Sequence, residues 1–439
     1  MNSATAGLMF VAMLLLMAVR VPIWAAMFLP GAAAYVWLSG LGPLLAFLKG
    51  VAFARFSIYD LSVVPLFLLM GHLATQSGLS AGLFRAAAAF VGHWRGGLAQ
   101  ASVLASAAFG SVCGSSVATA ATIAQVALPE MRRYRYDGGF ATAALAAGGT
   151  LGILIPPSVV LVLYSILTEQ NIAKLFAAAL IPGILAAALY CTAIALFMRV
   201  RPHLGPSEAR VPLRQRLAML TGVLPVTTIF LIVLGGIYGG VFTATEAAAI
   251  GVLLTAVAGF AARQLTAKRV RQALLLTAQT TGAIFMIFIG ADMLNAALAL
   301  TQMPALVADL IAHVDLPPVL VLTAVLVFYI VLAGVMDEMS MLLLTLPVVF
   351  PSVMQLPLFG LGLEDKALWF GVLLLTVVNI GLIAPPVGLN VYVVGMQARD
   401  VPVAQTYRYV FVFLAADALR LALLVALPAL SLWLVQFVR

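Results

Sequence analysis

Two short stretches of this 439-residue chain have the residue types to hold ions, and they share one pattern. The first reads Thr150-Leu-Gly152, three apolar residues, then Pro156-Pro157. The second reads Asn379-Ile-Gly381, three apolar residues, then Pro385-Pro386. Paired prolines remove two backbone donors and clash with carbonyls one turn back, so a helix must break at each pair. In lipid no water satisfies the freed carbonyls, and a break is tolerated only inside protein or beside a water-filled cavity. Broken ends expose carbonyl oxygens, which ligate a cation such as Na⁺. They also expose helix N-termini, which hold an anion. A kink used only for packing is the competing reading, and the register of the two breaks weighs against it.

A polar cluster precedes each break at a similar distance. Gly110 lies 46 residues before Pro156, and Gly334 lies 51 residues before Pro385. The first cluster, GSVCGSSVATAATIAQ (110–125), offers Ser111, Gly114, Ser115, Ser116 and Thr119. Small and hydroxyl residues let backbones approach and supply oxygen, although close helix packing uses the same residues. The second cluster, GVMDEMSM (334–341), places Asp337 and Glu338 side by side. An unpaired charge deep in a membrane costs about 3 kcal/mol. The two carboxylates therefore pair, ligate or line water, unless the segment is shallow and they are solvated.

The elements that carry these clusters are membrane helices. The chain is 64% hydrophobic and only 9% charged, with a mean hydropathy of +1.15. Apolar runs long enough for a bilayer recur throughout, with helical rather than alternating period, which argues against an outer-membrane β-barrel. Spans are expected at 4–19, 22–39, 60–77, 138–168, 174–200, 218–240, 244–263, 272–301, 366–398 and 410–437. Residues 42–57 read as an interfacial helix or short span, and 80–95 as an amphipathic piece. The first run has no positive charge ahead of it and reads as a retained span rather than a signal peptide.

Basic residues set the sidedness. Arginines at 199, 201, 210, 214 and 216 mark the polar linker 201–217 as cytoplasmic, and 17 of the 23 basic residues then fall inside. Glu169, Asp309, Asp315, Glu364 and Asp365 fall outside. Of the other six, Lys49 and Arg55 are also placed outside. This topology makes 96–131 begin and end inside and 316–354 begin and end outside, so both read as re-entrant hairpins entering from opposite faces. Each is followed by a Pro-Pro-broken helix. Inverted repeats with interrupted helices are the sequence mark of secondary transporters.

Other classes fit poorly. Cys113 and Cys191 are too few for a disulfide framework or a metal cluster. The net charge of +8 is explained by cytoplasmic loops rather than nucleic acid. His72, His93, His203 and His313 are scattered, and no zinc-protease or P-loop pattern is present, which argues against an enzyme and against ATP hydrolysis by that loop. A channel suits two opposed hairpins less well than alternating access does. Thr243 and Glu246 have capping-box spacing, which points to a structural role.

Several stretches resemble the large membrane subunit of a tripartite ATP-independent periplasmic (TRAP) transporter, the DctM-like type. They are GSSVATAATIAQVALPEM (114–131), GTLGILIPPSVVLVLYS (149–165), KLFAAALIPGIL (174–185), GGIYGGVFTATEAAAIG (235–251) and NIGLIAPPVGLNVYVV (379–394). The chain departs from that family's usual pattern at Arg135-Tyr136-Asp137, at Asn379 and at His72. The resemblance implies an all-α polytopic membrane protein of the bacterial inner membrane, built as an elevator-type scaffold plus transport domain. It implies Na⁺ as the coupling ion and an organic acid as cargo. It also implies two partners, a soluble periplasmic solute-binding protein and a separate small four-helix membrane subunit. A symporter that works without a binding protein, driven by Na⁺ or H⁺, is the alternative.

Carried over position by position, the resemblance puts one Na⁺ site at Ser111, Gly114, Ser115, Ser116, Gly149, Thr150 and Pro156. It puts the other at Gly334, Met336, Asp337, Asn379, Gly381 and Pro385. The substrate carboxylate is expected between the tips, near Ser116, Ser340 and Asn390. The expected division is N-terminal scaffold helices and arm in 1–95, first transport repeat in 96–200 (hairpin 96–131, broken helix 138–168), linker 201–217, scaffold helices in 218–315, second hairpin and broken helix in 316–398, and C-terminal helix in 399–439.

Overall fold

In the computed structural model, residues 2–303, 306, 316–334 and 336–438 are described. Asp309, His313 and Asp315, used above, lie outside them. The described elements are all helical. Among the described residues, six helices are long and apolar enough to cross a membrane, and up to nine if each sharply bent pair counts as one span.

The helices fall into two packing groups. Ile23–Ser39, Val63–Gln76, Ala244–Ala261 and Ala267–Leu300 pack on one another. The second group is built around Gly138–Leu154 and Leu363–Ile383. The 18-residue apolar core of Leu363–Ile383 is wholly buried, as are 138–154 apart from Gly138. Helices that are apolar all round belong inside a bundle. Around them sit Gly97–Cys113, Ser116–Arg133, Ile172–Val200, Pro318–Ala333 and Val403–Ala426.

Several boundaries differ from the hydropathy reading. The C-terminal span is Val403–Ala426, not 410–437. Pro402 starts it, and the Leu427–Pro428 step ends it before two short turns, Ala429–Leu432 and Leu434–Phe437. Its polar first turn is packed against protein rather than lipid: Thr406 is buried and its Oγ1 lies 2.8 Å from Thr142 Oγ1. The run 272–301 belongs to a 34-residue helix, Ala267–Leu300, whose start is capped by Thr266. The run 218–240 breaks at 220–224 and bends by 52°. Residues 41–56 form a helix that bends 61° into Tyr59–Gln76.

The exceptional Arg55 has a partner. Its guanidinium hydrogen-bonds both carboxylate oxygens of Asp292 and stands over the Phe288 ring. Asp292 is 25 residues along the helix that begins at Ala267, about 38 Å by helical rise. That distance carries it to the end opposite the basic residues 268–271, the side to which Arg55 was assigned.

The capping box is present: Thr243 N donates to Glu246 Oε2 at 2.8 Å, and Glu246 N donates to Thr243 Oγ1 at 3.2 Å. Thr243→Ala is expected to cost about 1 kcal/mol, read as a lower melting temperature. An unchanged melting temperature would contradict a structural role.

Candidate functional site

Both proline pairs break their helices, and by the same local route. The residue before a proline is pushed out of the α region. Ile155 (φ −88°, ψ 120°) ends Gly138–Leu154, and Ala384 (φ −73°, ψ 145°) ends Leu363–Ile383. The Pro156–Pro157 and Pro385–Pro386 peptide bonds are both cis. The chain restarts at Val159–Thr168, where Ser158 Oγ accepts from Leu161 N at 3.4 Å, and at Leu389–Gly395 after left-handed Gly388. The first break is buried, whereas Pro385, Pro386 and Val387 are exposed.

Each hairpin tip seats on the break of its own repeat. Gly97–Cys113 turns through Gly114 and Ser115 into Ser116–Arg133, and Gly114 has φ +64°, which glycine adopts freely. A methyl group at Gly114 would lie 3.0 Å from the Pro157 carbonyl, and one at Gly334 would lie 3.5 Å from Pro386 Cδ. The motif glycines make room for the hairpins. A methyl at Gly152 would meet Thr119 Oγ1 at 2.4 Å and the Ser115 carbonyl at 2.6 Å. One at Gly381 would meet the Ala333 carbonyl carbon at 2.7 Å and its oxygen at 2.8 Å. Ser115 and Asp337 occupy equivalent places, each as the N-cap of its hairpin's second helix. Ser115 Oγ accepts from Ala118 N at 3.4 Å and Asp337 Oδ2 from Ser340 N at 3.0 Å.

The two tips meet at one cavity of ≈ 300 Å³. Gly114 and Ser115 of the first tip, Glu338 and Met339 of the second, and Val159 and Val160 beyond the first break line it. His72 and Thr280, from the other packing group, complete its polar lining with Cys113. The first turns of three helices thus open onto the cavity. Such turns present unpaired N–H groups and a partial positive charge, a setting for an anion.

The expected site residues are distributed around this cavity unequally. Ser115 and Gly114 line it. Ser116, Ser340 and Asn390 are fully buried and are not in its wall. Asn390 Nδ2 donates to the Ala146 carbonyl at 3.2 Å. Ser111 Oγ donates to Ala108 O at 2.8 Å within its own helix. Gly149 packs on Ala120. Met336 is 7% exposed, and Pro156 is buried while Pro385 is not. Oxygen atoms without a hydrogen-bond partner among the described residues occur at the tips and breaks: Ser116 Oγ, Thr119 Oγ1, Asp337 Oδ1, Glu338 Oε2, Ser340 Oγ, Asn379 Oδ1 and Asn390 Oδ1. Buried oxygens are normally paired, and hard cations take oxygen ligands, so this donor set fits Na⁺.

Thr280 was missed by the sequence reading, and His72 entered it only as a departure from a family pattern. Each is a polar residue inside an apolar run, the one signal available for them. Thr150 was expected as a ligand, yet it also anchors a buried chain of polar groups. Its Oγ1 donates to Ala147 O at 2.7 Å and lies 3.3 Å from Tyr190 Oη, which donates to Asp417 Oδ2 at 2.7 Å. Arg420 Nη2 stands 3.0 Å from Asp417 Oδ1, without the alignment of a hydrogen bond, and both side chains are buried.

Two hairpin tips, two broken helices and a shared cavity inside a membrane bundle are the features of a secondary transporter. The sequence profile described as "Tripartite ATP-independent periplasmic transporter, DctM component" matches residues 10–430. The chain belongs to that family, and it is a multi-pass protein of the inner membrane. It is 35% identical over 375 residues to the C4-dicarboxylate TRAP transporter large permease protein DctM of Pseudomonas aeruginosa, covering 85% of this chain and 86% of that one. It is 30% identical over 380 residues to the sialic acid TRAP transporter large permease protein SiaM of Vibrio cholerae, covering 86% of each. Among solved structures, the Alcanivorax borkumensis YdaH transporter matches with a TM-score of 0.55 at 18% identity over 88% of each chain. That likeness is one of fold.

Proposed function

We propose that this chain is the Na⁺-coupled large permease of a three-part importer for an organic acid. The supporting observation is the cavity shared by both hairpin tips, with unpaired oxygens at the same tips and breaks. Na⁺ would supply positive charge where the chain offers only oxygen. Ser115, Ser116, Thr119 and Thr150 would hold one ion, and Asp337 and Asn379 the other. The substrate carboxylate would sit on the first turns that open onto the cavity. The hairpins and broken helices would move together as the transport body against the group containing Ala244–Ala261 and Ala267–Leu300, an elevator. A small membrane subunit would complete the complex, and a periplasmic binding protein would deliver the acid.

The test is uptake into proteoliposomes holding this chain and its small subunit, with organic acids presented on their binding proteins. Uptake that needs both an inward Na⁺ gradient and the binding protein is the expected result. Uptake that ignores the binding protein would indicate an ordinary symporter, and uptake driven by protons alone would remove the Na⁺ sites. Asp337→Ala and Ser115→Ala are each expected to raise the half-saturating Na⁺ concentration about tenfold. Unchanged Na⁺ dependence in both would overturn the ligand assignment.

A further inference from the structure

The two tips are equivalent in the repeat but not in what they offer a ligand. The first tip contributes Gly114, Ser115 and backbone at a helix start, all able to receive an anion. The second contributes Met339 and Glu338, a carboxylate whose Oε2 has no partner among the described residues. Among the described residues, no lysine or arginine lines the cavity. Its remaining wall is largely aliphatic, from Leu68, Val117, Ile153, Val159 and Val160. The volume of ≈ 300 Å³ lies at the small end of ligand pockets, which run from about 300 to 1,000 Å³.

Resting on the organic-acid reading above, we propose that the substrate is a small monocarboxylate with an apolar body and one hydroxyl or ammonium donor, not a dicarboxylate and not a polyol acid. The carboxylate takes the first tip. The donor meets Glu338, with His72, whose Nε2 is also unpaired, within the same wall. The apolar body lies on the aliphatic wall. A second carboxylate would face Glu338 with no lysine or arginine among the described lining residues to offset it, and like charges so placed are strongly unfavourable. A polyol acid would bring more hydroxyls than Ser115, His72, Thr280 and Glu338 can pair, and each unpaired group costs about 1–3 kcal/mol.

The test is equilibrium binding to the full chain with its small subunit in nanodiscs, in Na⁺ buffer. The probes are leucine, 2-hydroxy-4-methylpentanoate, 4-methylpentanoate, succinate and N-acetylneuraminate. Leucine or the 2-hydroxy acid is expected to bind about tenfold or more tighter than succinate or N-acetylneuraminate. The donor-free 4-methylpentanoate should bind about fivefold weaker than the 2-hydroxy acid. Glu338→Gln should shrink the preference over succinate at least threefold, a change in ratio that general loosening would not produce. Should that variant fail to fold, His72→Leu should weaken the 2-hydroxy acid and leave 4-methylpentanoate unchanged. Succinate or N-acetylneuraminate binding as tightly as the monoacids overturns this inference and leaves the transporter reading intact. Na⁺ buffer in which no acid binds overturns both.

Discussion

An Arg420→Met chain is expected to lose about 3–5 kcal/mol of stability, because the change strands the Asp417 carboxylate in the protein interior. Arg420 and Asp417 are both fully buried on Val403–Ala426, one turn apart. Tyr190 is the other group bonded to Asp417, and one neutral donor cannot replace a cation. The loss comes from the uncompensated charge, not from the contact itself. Asp417→Asn combined with Arg420→Met should therefore recover at least half of it, a non-additivity expected for touching groups. Denaturation of the purified chain in detergent measures both. Equal losses in the single and double variants would show that Arg420 acts by volume. Tyr190 joins the pair to Thr150, so the single variant should also weaken Na⁺ binding.

Adding one methyl group at Gly152 or at Gly381 is the second large effect. The new carbon at Gly152 has the Ser115 carbonyl at 2.6 Å, and that at Gly381 has the Ala333 backbone at 2.7 Å. Neither neighbour is the end of a flexible side chain, so the hairpin itself must lift from the broken helix. Overpacking of this kind costs about 1–3 kcal/mol. Because the displaced parts are the tips, Na⁺ affinity should fall about tenfold as well. Gly235→Ala is the control. Nothing lies within 4 Å of a methyl group there, and alanine gains about 1 kcal/mol over glycine inside a helix. The comparison is made on melting temperature and Na⁺-dependent uptake. If Gly152→Ala and Gly381→Ala transport as well as Gly235→Ala, the tips do not need their seats.

These glycines explain why the two stretches share a pattern rather than only a proline pair. Proline breaks the helix through its own ring, and the glycine four residues earlier admits the hairpin. Both causes are local or nearly so, and they act alike in both halves of the chain. The departures arise where burial depends on neighbours. Polar Gln405 and Thr406 made the last span look as though it starts at 410. The helix starts at Val403 because Thr406 is paired with Thr142 across a helix interface.

What the amino-acid sequence determined by itself was the class of molecule: an all-helical membrane bundle, two breaks, two polar tips and their pairing into repeats. Apolar length, proline chemistry and charge asymmetry each act over a few residues and can be read in order along the chain. Only the tertiary structure decided which side chains share the cavity. Successive helical residues point about 100° apart, so Ser115 reaches the cavity while Ser116 does not, and Glu338 reaches it while Ser340 does not. That rotation is set by the seating of each hairpin on Gly152 or Gly381. His72 and Thr280 arrive from distant helices for the same reason: packing, not sequence order, brings them to the tips.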